Sequence, residues 1–172
     1  MKKKNLIKND KIYIFKVSLD FNSGRMDEGR INQEIVRSGK PPWRKIAMLG
    51  SHTLYNFAEA INDAFGFWFD HCFGFYSNLE EKGKYDSKEI YELFTDLEDV
   101  EHTPRAKGVK KVRILQVFKE IGKKMLFYFD YGDGWHFIVE LKDIRKPDFK
   151  MSYPILLEKF GPNPEQYPPL EE

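Results

Sequence analysis

Between residues 11 and 21 the chain alternates: Tyr13, Phe15, Val17, Leu19 and Phe21 fall on one side, and Ile12, Ile14, Lys16, Ser18 and Asp20 on the other. That period of two predicts a half-buried strand. Residues 22–42 mix Gly, Arg, Asp and Ser around one weak helical patch at 31–36, and read as a long connection that is an insertion, a loop or part of a site. After Pro41-Pro42 a second strand is predicted over 43–49; Gly50 ends it, and Ser51 or Thr53 is placed to cap a helix. Over 54–65 the period changes. Leu54, Phe57, Ala58, Ile61, Ala64 and Phe65 recur at spacings of three and four, opposite Asn56, Glu59, Asn62 and Asp63, which predicts a one-sided helix laid on a sheet and stopped by Gly66. A third strand is predicted over 71–76, an acidic helix or loop over 86–97, and a short helix over 112–121 closed by Gly122. Residues 125–141 are two aromatic-rich runs about Gly132-Asp133-Gly134. Asp-Gly supplies the positive φ that a tight hairpin turn needs, because Gly has no Cβ to clash. Past Asp148 come Tyr153-Pro154 and then Pro162, Pro164, Pro168 and Pro169, which forbid regular structure in a terminal extended segment.

This order predicts the α+β class: a single domain over 1–172 with a mixed sheet and a crossing amphipathic helix. Its first half resembles the opening of the β-grasp fold, and a hairpin is added toward the C-terminus. Residues 1–9 form a basic amino end, and both they and the proline-rich 161–172 are expected to be extended.

Charge changes the picture only locally. With 28 Lys and Arg against 27 Asp and Glu, the whole chain argues neither for nucleic acid nor for acidic lipid. Residues 80–101 are nevertheless acidic and 105–124 basic, through Arg105, Lys107, Lys110, Lys111, Arg113, Lys119, Lys123 and Lys124. Solvated faces attracting one another is the plain reading of those blocks, and a phosphate-binding patch the sharper one. Cys72 is the single cysteine, so no intramolecular disulfide forms and a cytoplasmic setting is expected. No apolar run follows the basic amino end and none is long enough to span a bilayer, so neither a secretory signal nor a membrane partner is expected.

Several residues carry potential chemistry. Trp43-Arg44 sets an aromatic ring beside a cation able to grip a carboxylate or phosphate, although a core Trp with exposed neighbours is the commoner meaning. His71 stands between Phe67-Trp68-Phe69 and a predicted strand, where a histidine is usually a satisfied edge residue. Asp130, Asp133 and His136 surround the hairpin turn; Asp130 reads as a strand residue, and turn chemistry alone explains Asp133 and Gly134. No His pair has metal-ligand spacing with a carboxylate, and no phosphate-cradling glycine loop or nucleophile elbow is present, so no metal and no cofactor are expected.

Pro41-Pro42-Trp43-Arg44-Lys45, Thr53-Leu54, Gly66 through His71 with Phe75, and Phe127 through Trp135 together resemble the plasmid ORF-3-like family, over roughly residues 10 to 170. That family includes the passenger protein of a bacterial insertion element. His71 and Asp133 match its positions; the Trp-x-His that commonly follows its turn does not, because His136 adjoins Trp135 and Phe137 takes the histidine's place. The resemblance implies no established activity. It leaves a binding or adaptor module that meets an unknown protein or small-molecule partner through an aromatic groove near Trp43, Arg44, His71, Tyr131 and Trp135. The alternatives are a nucleic-acid-associated protein using Arg44, Arg105, Lys107, Lys110, Lys111 and Arg113, and a hydrolase-like enzyme using His71 with Asp133.

Overall fold

The computed structural model describes residues 10–21 and 33–167, so the basic amino end, most of the long connection and the last five residues lie outside the described part. Among the described residues seven strands form one sheet: β1 (Ile12–Leu19), β2 (Trp43–Leu49), β3 (Phe73–Tyr76), β4 (Ile90–Glu92), β5 (Lys124–Phe129), β6 (Trp135–Arg145) and β7 (Ile155–Phe160). Their order across the sheet is β4-β3-β5-β6-β1-β2-β7. The α+β class holds. The sheet, expected to be mixed, is antiparallel in every strand pair; the one parallel contact among the described residues is the isolated bridge between Tyr91 and Lys107. The β-grasp-like order of strand, strand, helix, strand is present, but β3 joins the sheet beyond β5 and β6, which separate it from β1.

Alternation in β1 decides which face is covered. Phe15, Val17 and Leu19 are buried, with Tyr13 and Phe21 packed against them, and they meet Phe73 and Phe75 of β3, Phe127 and Phe129 of β5, and Phe137 and Val139 of β6. The helix α2 (Leu54–Phe65) lies on this face and buries Leu54, Phe57, Ala58, Ile61 and Phe65. Thr53 is its cap: Thr53 Oγ1 accepts from the Asn56 N–H at 3.1 Å, and Asn56 Oδ1 accepts from the Thr53 N–H at 3.0 Å. At the other end Gly66, at φ +73°, turns the chain out of the helix in the left-handed region. Burial of aromatic side chains is the dominant stabilising term here, since each removes about 150–250 Å² from water.

Elsewhere the boundaries shift. A helix α1 occupies Gln33–Ser38, slightly later than the weak patch at 31–36, part of which lies outside the described residues. The acidic stretch expected as a helix or loop is two 3₁₀ turns around β4, because Ile90 and Tyr91 find an open edge at β3. The helix expected over 112–121 is the single turn α3 (Ile114–Val117). β7 pairs with β2 at the opposite edge through a bulge, which breaks the alternation that would have marked it.

The second face of the sheet carries a smaller cluster of Tyr76, Ile90, Leu126 and Tyr128, with Ala106, Tyr131 and Ile138 against it. No helix among the described residues is long and apolar enough to cross a membrane.

Candidate functional site

One end of the sheet gathers most of the residues singled out above. β1 and β7 finish there, β2, β3 and β6 begin there, and α2 ends there, so the register alone brings residues 41–44, 66–71 and 130–135 together. The loop between β5 and β6 has five residues, closing after the Phe129–Trp135 pair. Gly134 has the positive φ expected of it, at +73°; the other left-handed residue is Asp130, at +57°. Asp130, expected to belong to the strand, makes the turn instead. Its Oδ1 accepts from the N–H groups of Gly132 and Asp133, each at 3.2 Å, and its own N–H donates to the Cys72 carbonyl at 2.9 Å.

The second oxygen of Asp130 faces His71, with Nε2 to Oδ2 at 3.6 Å, while His71 Nδ1 lies 2.7 Å from Asp70 Oδ1. The imidazole is thus held between two carboxylates, one nearly buried and one half-exposed. The hydrogen bond to Asp70 raises its pKa above the ordinary value against some desolvation, with Asp130 and Asp133 adding to the rise. Asp70 is held below the usual carboxylate range: partial desolvation opposes the shift, and bonds from Tyr167 and His71 outweigh it.

Residues of the C-terminal segment complete this cluster. Tyr167 Oη donates to Asp70 Oδ2 at 2.6 Å, and desolvation with that contact pushes the phenol up to about 12. Gln166, almost fully buried, accepts from the Trp68 N–H at 2.6 Å through Oε1. Its Nε2 donates to the Trp68 carbonyl at 3.1 Å and reaches Asp70 Oδ1 at 3.3 Å. The alternation of 67–70 then puts Phe67 and Phe69 inward and leaves Trp68 and Asp70 on the outside, Trp68 with 74 % of its surface exposed. Asp70, Gln166 and Tyr167 escape a reading of the sequence, and Asp130 enters it only as a strand residue. The one local signal for them is the Phe-Trp-Phe-Asp-His run, since Gln166 and Tyr167 lie about a hundred residues from the side chains they hold.

The other candidates are distributed. Arg44 falls in phase with Ile46 and Met48, so its side chain enters the covered face, where it is fully buried. Its Nε donates to the Ala64 carbonyl at 2.9 Å, Nη1 to the carbonyls of Trp43 and Phe160 at 2.8 Å each, and Nη2 to Asn163 Oδ1 at 2.6 Å. The guanidinium stacks 4.6 Å from the centre of the Phe65 ring. Arg44 therefore ties the last turn of α2, where a cation is favoured by the helix dipole, to the segment after β7. Trp43 lies on the opposite face, stacked on Phe160 at 5.9 Å with Lys16 Nζ 5.1 Å above its ring. Tyr131 sits in the second cluster, its hydroxyl 3.4 Å from that of Tyr76, which donates to the buried Glu92 at 2.9 Å. Burial raises both phenols well above the ordinary value. Trp135 packs edge-on to Phe67 within the core, and its Nε1 has no hydrogen-bond partner among the described residues. His136, in the neighbouring and opposite-facing position, is fully buried and stacked 4.3 Å from Tyr128, and desolvation lowers its pKa.

Asp133 contributes charge to His71, but the carboxylates touching the ring are Asp70 and Asp130. Arg105, Lys107, Lys110, Lys111 and Arg113 are all exposed on the loop running from beside β4 to the start of α2. Among the described residues none of the five lies within ion-pair distance of a carboxylate. The attraction expected between the acidic and basic blocks is present elsewhere, in the Lys123–Glu89 pair at 2.7 Å. Among the described residues no group of three or more His, Cys, Asp or Glu side chains could hold a metal ion.

A family model of plasmid pRiA4b ORF-3-like proteins matches residues 30–166, which include Pro41 through Arg44, His71, the hairpin and Gln166. The fold is also similar to the crystal structure of a protein of unknown function, MM3350, from Methanosarcina mazei Go1. The TM-score is 0.61 at 18 % identity, covering 87 % of this chain and 70 % of that one. No curated protein matches the chain.

Proposed function

The chain belongs to the plasmid pRiA4b ORF-3-like family, and from that premise we propose that it is a binding or adaptor module whose recognition surface is the hairpin-turn end of the sheet. One observation carries the reading: Asp70, His71, Asp130, Gln166 and Tyr167, from three separate parts of the chain, are joined there in one partly exposed polar cluster. Holding half-exposed side chains in fixed positions by buried partners is what recognition needs, because it reduces the ordering cost of binding. The geometry favours binding over hydrolysis. Both ring nitrogens of His71 face carboxylates, an arrangement that stabilises the imidazolium and leaves it a poor base for activating a nucleophile.

Nuclear magnetic resonance with a panel of cationic, anionic, sugar and aromatic probes tests this. Perturbed amides are expected in 66–71, 130–135 and 161–167. Perturbations confined to other parts of the chain, or none at all, would remove the reading.

The second reading, association with nucleic acid, is favoured by the exposed row Arg105, Lys107, Lys110, Lys111 and Arg113, none of whose side chains forms an ion pair among the described residues. It requires an affinity that falls steeply as salt rises and that weakens in a Lys110→Glu/Lys111→Glu variant. No retardation of a DNA or RNA duplex at low salt would eliminate it.

A further inference from the structure

We infer that residues 161–167 are a displaceable internal ligand, occupying the docking points of a partner's extended peptide with the same spacing: an amide side chain, then Gln and Tyr three and four residues later. This rests on the binding reading above and names the chemistry of the partner at the same surface. Three features lead to it.

The first is the way the segment is held. Among the described residues it makes no backbone-to-backbone hydrogen bond, and three side chains do the holding. Asn163 Oδ1 accepts from Arg44 Nη2 at 2.6 Å. Gln166 accepts from the Trp68 N–H at 2.6 Å and donates to its carbonyl at 3.1 Å, and Tyr167 Oη donates to Asp70 Oδ2 at 2.6 Å. A segment held by side chains alone, with only Pro164 and Gln166 buried, detaches at lower cost than a strand of the sheet. The second is the pivot. Gly161 follows β7 at φ +76°, so the chain leaves the sheet at a residue free to change its backbone angles. The third is that the docking points do not depend on the segment. Without it Arg44 keeps its bonds to the carbonyls of Ala64, Trp43 and Phe160, Asp70 keeps His71, and Trp68 stays fixed between Phe67 and Phe69, which pack in the core. Points that persist when their occupant leaves accept another of matching chemistry. That chemistry is narrow. Arg44 takes an acceptor, Asp70 a donor, and the Trp68 backbone one of each, which a glutamine side chain supplies and a glutamate does not. Gln166 Nε2 also lies 3.3 Å from Asp70 Oδ1, where a carboxylate would be repelled.

The test uses the full chain and a fluorescein-labelled peptide of residues 161–167, read by anisotropy and by the Trp68 amide. In the parent the attached segment competes at a high effective concentration, so the peptide is expected to bind weakly. Gln166→Ala in the chain loosens the segment and is expected to raise the peptide's affinity about tenfold, and Tyr167→Phe about threefold. Gln166→Ala leaves Asn163 on Arg44 and both core clusters intact, so it is expected to fold; Tyr167→Phe gives up a single hydroxyl and is the milder variant. A peptide carrying Gln166→Glu is expected to bind either variant about tenfold less tightly. The inference falls if the peptide does not bind the Gln166→Ala chain up to about 1 mM, if it binds the parent as tightly as both variants, or if the Gln166→Glu peptide binds equally well. A parent chain that dimerises by exchanging 161–167 would give the docking points to a second copy and overturn the separate partner. Small probes that perturb 66–71 and 130–135 while the peptide does not would overturn the peptide and leave the binding site standing.

Discussion

Replacing Arg44 by methionine keeps the apolar stem over Phe65 and removes the guanidinium, leaving the carbonyls of Ala64, Trp43 and Phe160 and the Asn163 side chain without their donor. Adding up four bonds to a charged group would overstate the loss, because the cost of burying the cation disappears with it. Removing one partner from a buried charged network typically costs about 3–5 kcal/mol. For a chain of this size each kcal/mol moves the midpoint by roughly 2–4 °C, so Arg44→Met is expected to lower Tm by about 6–20 °C. Arg44→Lys should fall between the two, since an ammonium cannot spread its donors over the same four acceptors. A local signature distinguishes this account from general destabilisation. Arg44 holds Asn163, and three residues later Gln166 protects the Trp68 N–H, so exchange of that amide should accelerate more than exchange at the centre of β1. Calorimetry and hydrogen exchange on the purified variants measure both. A Tm within about 3 °C of the parent, or a Trp68 amide exchanging as slowly as before, would refute the reasoning.

His136 and His71 should pull stability in opposite directions. Burial lowers the folded pKa of His136, so its contribution is full above the unfolded value of about 6.5 and is lost as pH falls below it; His136→Phe should flatten the acid side of a urea-midpoint profile. His71 has a raised folded pKa, so its smaller, half-exposed contribution is full below about 6.5 and is lost as pH rises through the folded value; His71→Gln should remove that alkaline decline. Tyr167→Phe takes a donor from Asp70, and a carboxyl-carbon titration should show the Asp70 pKa moving back up toward the ordinary range with little change in Tm. Gly66→Ala forces a Cβ into the left-handed region at the end of α2 and against Asn163, with an expected loss of about 1–2 kcal/mol by denaturant titration.

Short-range chemistry is legible in the amino-acid sequence and long-range pairing is not. The Thr53 cap, the helix 54–65, the Gly66 stop and the hairpin all follow from residues within a few positions of one another, and all are present. β4 and β7 are edge strands with three and six residues, and their only regularity is the partner they pair with. Arg44 shows the same division. Its inward phase can be read from Ile46 and Met48, whereas the acceptors that make burial tolerable belong to residues 64, 160 and 163. Local pattern singles out His71 but puts Asp130 in the strand and Asp133 in the turn, because only the fold shows which carboxylate turns back toward the ring. The swap of turn roles shows in the backbone: the left-handed residues of this five-residue loop are its first and last, Asp130 and Gly134.

The contacts from Asn163, Gln166 and Tyr167 back to Arg44, Trp68 and Asp70 set the order in which the surface matures during synthesis. A chain emerging from a ribosome can pair β1 with β2 and lay down α2 long before those partners have been translated. Until residue 167 has cleared the exit tunnel, Trp68 has no clamp and Asp70 no phenol, so strand pairing in the nascent chain runs ahead of the polar cluster at the end of the sheet.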